Sequence, residues 1–171
     1  ETAGLLKGPK SWSALSLASM SFGQEIGVTA IQMASAAAVI ANGGYWMRPY
    51  IVKKVEEPSG ELVREFQPMA ERKVIEPETA DRVMALLREV VISGTGRKAK
   101  VEGFEVAGKT GTAQMADPVH GGYMKRYVAS FVGVVPAGDP QLVVLVMVNE
   151  PTASIWGGEV AAPAARDIAQ F

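Results

Sequence analysis

Lys109, Thr110, Gly111 and Thr112 stand in a row, and their types suit the recognition of a carboxylate at an acyl-transfer centre. A lysine ammonium and two hydroxyls offer a dense set of donors to an anionic group. Gly111 carries no side chain, so a ligand can approach the backbone and run beside it as an added strand. The run lies between two apolar, strand-like stretches, where an edge strand would present it. The same residues also suit a polar edge strand whose lysine discourages pairing with other chains. The tetrapeptide alone leaves both readings open.

Other residues carry weaker signals. His120 falls in a predicted loop, Met115–Arg126, between two strands, and reads as a solvated loop histidine near the Lys109 run. Tyr123 and Tyr127 suit packing better than catalysis. Trp156-Gly157-Gly158 reads either as the edge of a cleft or as a turn with a half-buried aromatic. Thr95-Gly96-Arg97-Lys98 reads as surface chemistry in the loop before the Lys109 strand. Lys53-Lys54 and Glu56-Glu57 look like the solvated side of a hairpin, and the scattered methionines like core filler.

Composition narrows the classes of function. The 171 residues are 48% hydrophobic and 20% charged, as in a globular domain. A net charge of -1 supplies no global field to recruit nucleic acid. Without cysteine there is neither a disulfide nor a thiolate metal site, and one histidine excludes a multi-histidine site. The longest apolar run, Leu142 to Val148, is far short of the ~18 residues that span a bilayer. The chain opens at Glu1 with no basic-then-apolar leader, so it reads as a soluble piece of a larger protein.

The positioning elements follow from periodicity. Residues 1–24, rich in Gly, Ser and Pro, read as mostly loop. Thr29-Ala30-Ile31-Gln32 fits a capping box opening an Ala-rich helix over 29–42 that is expected to be buried, with Asn42-Gly43-Gly44 as its stop. Tyr45–Phe66 reads as a hairpin, with strands Tyr50–Val55 and Glu61–Phe66 around Pro58-Ser59-Gly60. Pro77 opens a second helix over 77–92, with Ala80, Val83, Met84, Leu87, Val90 and Val91 as its apolar stripe. Strands follow at about 104–114, 127–135 and 141–149, the last two expected to be central because both alternating faces are apolar. A helix near Val160–170 closes the chain, with Pro163 in its first turn. The predicted fold class is α+β, an antiparallel sheet with helices packed on it.

Several segments in sequence order resemble the penicillin-binding transpeptidase family, which shares its fold with the serine β-lactamases. These are Glu1-Thr2-Ala3-Gly4, Ser21-Phe22-Gly23-Gln24, Val28–Ala34, Ala41-Asn42-Gly43-Gly44, Arg48-Pro49-Tyr50, Gly94-Thr95-Gly96, Lys109–Gln114 and the Tyr127–Gly133 strand. The resemblance is nearest to the class B enzymes of cell division and sporulation. It implies that residues 1–171 are the C-terminal portion of one transpeptidase domain. The family's Ser-x-x-Lys and Ser-x-Asn motifs do not occur here; the family order puts both before Glu1.

What the resemblance implies about function is specific. The substrate is a peptidoglycan stem peptide ending in D-Ala-D-Ala, or a β-lactam. Lys109 shapes the electrostatics around substrate and serines, while Thr110 and Thr112 bind the terminal carboxylate beside Gly111. The Thr112 backbone N–H is one oxyanion donor. No metal or organic cofactor is implied. The parent protein is expected to be anchored in the cytoplasmic membrane with this domain outside the cytoplasm. Its expected partners are a membrane glycan polymerase, divisome proteins and the N-terminal half of the same domain, with no nucleic acid. A β-lactam-hydrolysing or β-lactam-sensing relative and a non-catalytic scaffold are the alternatives.

Overall fold

The computed structural model describes residues 2–117 and 119–170. Chain order begins with β1 (Leu5–Leu6), α1 (Ser16–Ser21) and β2 (Ile26–Gly27), where β1 and β2 pair antiparallel. The sequence reading of this stretch as loop missed all three, because two-residue strands and a six-residue helix carry no measurable periodicity. Long-range side-chain bonds organise it instead. Ser16, fully buried, donates its hydroxyl to Glu25 Oε2 at 2.9 Å.

The helix α2 (Ala30–Ala41) opens with the expected capping box. The Thr29 hydroxyl accepts from the Gln32 amide at 3.2 Å, and Gln32 Oε1 accepts from the Thr29 amide at 3.0 Å. Two donors that the helix leaves unpaired are thereby satisfied. At the far end Gly44 sits at φ 107, and a Cβ there would lie 2.1 Å from the Ile75 carbonyl oxygen, so only glycine closes this turn. The helix is less buried than expected. Ala37 and Val39 are covered, while Ile31 stays 50% exposed.

The expected hairpin is present but nested. Its elements are β3 (Tyr45–Met47), β4 (Lys54–Glu56), β5 (Leu62–Glu65) and β6 (Ala70–Lys73). β4 pairs with β5 as an inner hairpin, and β3 pairs with β6 outside it. Residues 50–53, expected as strand, are not. The outer pairing joins segments that local pattern could not connect, and the short inner strands are exposed throughout.

Next, α3 (Pro77–Ile92) has Pro77 in its first turn and buries Ala80, Met84 and Val91. Three strands follow: β7 (Ala107–Ala116), β8 (Tyr123–Val135) and β9 (Leu142–Asn149), antiparallel in the order β7-β8-β9. Only β8 is central among the described residues; β9 lies at an edge, with Leu142 and Met147 exposed. The last helix, α4 (Gly157–Gln170), starts three residues earlier than expected. Pro163 is therefore interior, and the Glu159 carbonyl receives no helical N–H from it.

Alternation along β8 divides the core between the two faces of the sheet. Phe131 and Val135 pack with Ala161, Ala162 and Ala165 of α4, together with Val91, Ala99, Val101 and Val106. Val134 and Ala107 pack with Met84 of α3 and Ala137, bordered by Ile40 and Ala41 of α2. The result is α4 on one face and α2 with Met84 of α3 on the other, the end of α3 reaching the α4 side at Val91, with the antiparallel sheet between, as the α+β expectation required. Phe131 is 1% exposed, and truncating such a side chain to alanine costs roughly 3–5 kcal/mol.

Candidate active site

The register of β7 on β8 decides where each residue of the Lys109 run points. Thr110 lies opposite Phe131 and Thr112 opposite Ala129, while Lys109 lies opposite Val132 and Gly111 opposite Ser130. Directly opposed residues of an antiparallel pair project to the same face. Since Phe131 packs on α4, Thr110 and Thr112 also face α4, and Lys109 and Gly111 face the other way. On that opposite face a Cβ at Gly111 would lie 2.4 Å from the Ser130 hydroxyl.

Thr110 and Thr112 open into a recess of about 330 Å³ at the N-terminal end of α4, lined also by Gly94, Thr95, Arg97, Lys98 and Trp156–Glu159. Backbone packing forms its floor. A Cβ on Gly157 would sit 2.1 Å from the Ser130 carbonyl oxygen and 2.4 Å from that of Gly111. The helix end therefore rests directly on the sheet. Its first amide, the Gly157 N–H, has no carbonyl partner within the helix and donates to the Thr112 hydroxyl at 3.3 Å. The Thr110 hydroxyl lies 2.7 Å from that of Thr95.

The electrostatics favour an anion. Arg97 and Lys98 stand against Glu159, with Lys98 paired to that carboxylate, and the helix N-terminus adds a partial positive charge. Lys109 is exposed, and its ammonium donates to the Thr110 carbonyl at 2.8 Å. Thr110 and Thr112 thus share one recess, whereas Lys109 lies on the far side of the strand. Such a recess can hold a carboxylate with two hydroxyl donors. β7, an edge strand among the described residues, leaves its outer backbone groups for an extended ligand.

Other candidates separate cleanly. His120 lies outside the recess, with its ring 82% exposed and Nδ1 3.1 Å from Asp117 Oδ2. The backbone N–H groups of His120, then Val119, hold the Asp117 carboxyl below its ordinary value. Tyr123 accepts from the Glu25 amide at 3.0 Å and ties the start of β8 to the N-terminal segment. Trp156-Gly157-Gly158 is the cleft edge rather than an ordinary turn. Thr95 and Lys98, read as surface chemistry, line the recess. The pattern Gly94-Thr95-Gly96 was the one sequence signal that could have pointed to Thr95.

Comparison with known proteins gives consistent relationships. The model for the penicillin-binding protein transpeptidase domain matches residues 1–170. The chain is 44% identical over 149 residues to stage V sporulation protein D of Bacillus subtilis, covering 85% of this chain and 23% of that protein. It is 34% identical over 171 residues to the probable peptidoglycan D,D-transpeptidase PenA of Neisseria flavescens, covering 98% and 40%. Among solved structures, penicillin-binding protein 3 of Mycobacterium tuberculosis complexed with ampicillin superposes with a TM-score of 0.87 at 34% identity, covering 99% and 39%. The chain thus spans between about a quarter and two fifths of these relatives.

Proposed function

The chain belongs to the penicillin-binding protein transpeptidase family, and from that premise we propose that it is the C-terminal portion of a peptidoglycan D,D-transpeptidase domain whose acylating serine lies outside these 171 residues. The observation that carries the proposal is the pair of hydroxyls, Thr110 and Thr112, opening from one strand into one anion-favouring recess. They bind the carboxylate of a D-Ala-D-Ala stem peptide or of a β-lactam. The penultimate carbonyl of the substrate then lies along β7, where the Thr112 backbone N–H serves as one oxyanion donor. A preorganised donor of this kind contributes about 3–4 kcal/mol to the transition state. Lys109, on the other face of the strand, supplies positive potential toward the serine side of the site.

The serine oxygen adds to the penultimate D-Ala carbonyl, and the bond to the terminal D-Ala breaks. That D-Ala leaves as an amine carrying the serine proton. The amine of a neighbouring stem peptide then attacks the ester, and the serine oxygen departs with the proton that amine loses. Likeness to relatives named as D,D-transpeptidases and to a structure complexed with ampicillin supports this substrate class. No helix among the described residues is long and apolar enough to cross a membrane. Anchoring of the whole protein in the cytoplasmic membrane, with this domain outside the cytoplasm beside a glycan polymerase and divisome proteins, forms part of the same proposal.

The test is intact mass after incubation with a labelled penicillin. The full-length protein should gain one covalent adduct and the 171-residue chain none. A full-length protein that stays unlabelled, or an adduct on the chain itself, overturns the proposal. Rapid hydrolysis of the adduct would instead mark a β-lactam-hydrolysing enzyme.

A further inference from the structure

Thr110 and Thr112 face the recess in equivalent ways, but each needs its proton directed outward to serve a carboxylate. A carboxylate only accepts, and a hydroxyl has a single proton to donate. For Thr112 the matter is settled by the Gly157 N–H, which can only donate and which reaches the Thr112 oxygen at 3.3 Å. The Thr112 proton is thereby left free for a ligand. Among the described residues no amide donates to the Thr110 hydroxyl. The partner at 2.7 Å is the hydroxyl of Thr95, and either oxygen of that pair can be the donor. Once a carboxylate takes the Thr110 proton, only one polarity remains: Thr95 must donate to Thr110.

We propose that Thr95 is a positioning residue for the carboxylate subsite, donating its proton to Thr110 Oγ1 so that Thr110 donates to the ligand. The inference rests on the carboxylate-binding role assigned above to Thr110. The resulting chain runs from the Thr95 hydroxyl to the Thr110 hydroxyl to the carboxylate, and each bond polarises the next. Thr95 has little freedom to do otherwise. Its neighbours are tied to the end of α3, with the Gly94 amide on Glu89 at 3.1 Å and the Gly96 amide on Val90 at 2.9 Å. A Cβ on Gly158 would fall 2.3 Å from the Thr95 carbonyl oxygen, so the first turn of α4 abuts the same peptide. Held from both sides, the Thr95 backbone is fixed, and its hydroxyl stands within hydrogen-bond distance of Thr110.

The experiment uses the full-length protein and second-order acylation rates with a β-lactam and with the methyl ester of the same compound. Thr95→Val keeps the shape and removes the proton. It should slow acylation by the free acid about tenfold, the scale of one lost hydrogen bond. The penalty on the ester should be smaller by at least about fivefold, because the charged acceptor is gone. Thr95→Ser should return the rate to within about twofold of wild type. The double variant Thr95→Val/Thr110→Val should be no slower than Thr110→Val, since the two hydroxyls act through one bond. Melting temperature monitors folding, and should Thr95→Val fail to fold, Thr95→Ala is measured in its place against Thr95→Ser. Thr95→Val with wild-type acid acylation, alongside a slowed Thr110→Val, overturns this inference and leaves the carboxylate subsite standing. A Thr110→Val variant with wild-type acylation overturns both. Equal losses on acid and ester would mean that Thr95 only supports the fold, which also overturns the inference.

Discussion

Gly157 and Thr112, 45 positions apart, meet where the Gly157 amide donates to the Thr112 hydroxyl at 3.3 Å. The contact joins the first residue of α4 to the strand that carries the candidate site, so helix docking and hydroxyl orientation are one event. That makes the helix end part of the site rather than a distant support.

The first prediction concerns this junction. Gly157→Ala would place a methyl 2.1 Å from the Ser130 carbonyl oxygen and 2.4 Å from that of Gly111. Both are backbone atoms of a paired sheet, so α4 must shift rather than a side chain turn. A loss of about 1–3 kcal/mol is expected from the overpacking, with slower β-lactam acylation as the Gly157 amide leaves Thr112. Thermal melting and acylation rates of the full-length variant check this. An unchanged melting temperature would mean that the close approach is not kept in solution.

Lys109 and Thr112 should separate electrostatics from recognition. Lys109 is exposed, so Lys109→Ala should barely change the melting temperature. It should nevertheless slow acylation at least about a hundredfold, the scale for removing a preorganised charge or donor. Thr112→Val keeps the backbone N–H and should cost less, the loss nearly vanishing for ligands without a carboxylate. It also strips the Gly157 amide of its acceptor, so a destabilisation of about 1 kcal/mol accompanies it. A folded Lys109→Ala that acylates at the parental rate would make the site assignment wrong.

The N-terminal segment should respond to acid through Glu25. Its carboxyl lies below the ordinary 4.5, chiefly because the buried Ser16 hydroxyl donates to it, with Lys7 assisting. A carboxyl depressed in the folded state adds stability above its unfolded value, and that stability fades as pH falls through the folded value. Melting temperature should therefore drop below about pH 4.5. Ser16→Ala should shrink that acid-dependent drop while lowering the melting temperature at neutral pH. Parallel pH profiles for the two proteins would refute the linkage.

Much of the architecture was legible from the residues. The Thr29–Gln32 box, Pro77 at a helix start and the apolar runs of β8 and β9 are local signals, and a helix or strand grows from such signals without distant help. The Lys109 run was legible as a run of donors, and the register of β7 on β8 then put Thr110 and Thr112 on a common face. The pairing of β3 with β6, the buried Ser16 and the short β1 and β2 strands were not, because each is stabilised by partners far along the chain. Only tertiary packing decided which face of β7 would be the recess. Closing the chain brings the end of α3 and the start of α4 over Thr110 and Thr112, delivering Thr95 and Gly157 from 15 and 45 positions away. Composition and spacing determined which groups could bind a carboxylate. Their hydrogen-bond partners, the Thr95 hydroxyl and the Gly157 amide, reach them only once those distant backbones touch.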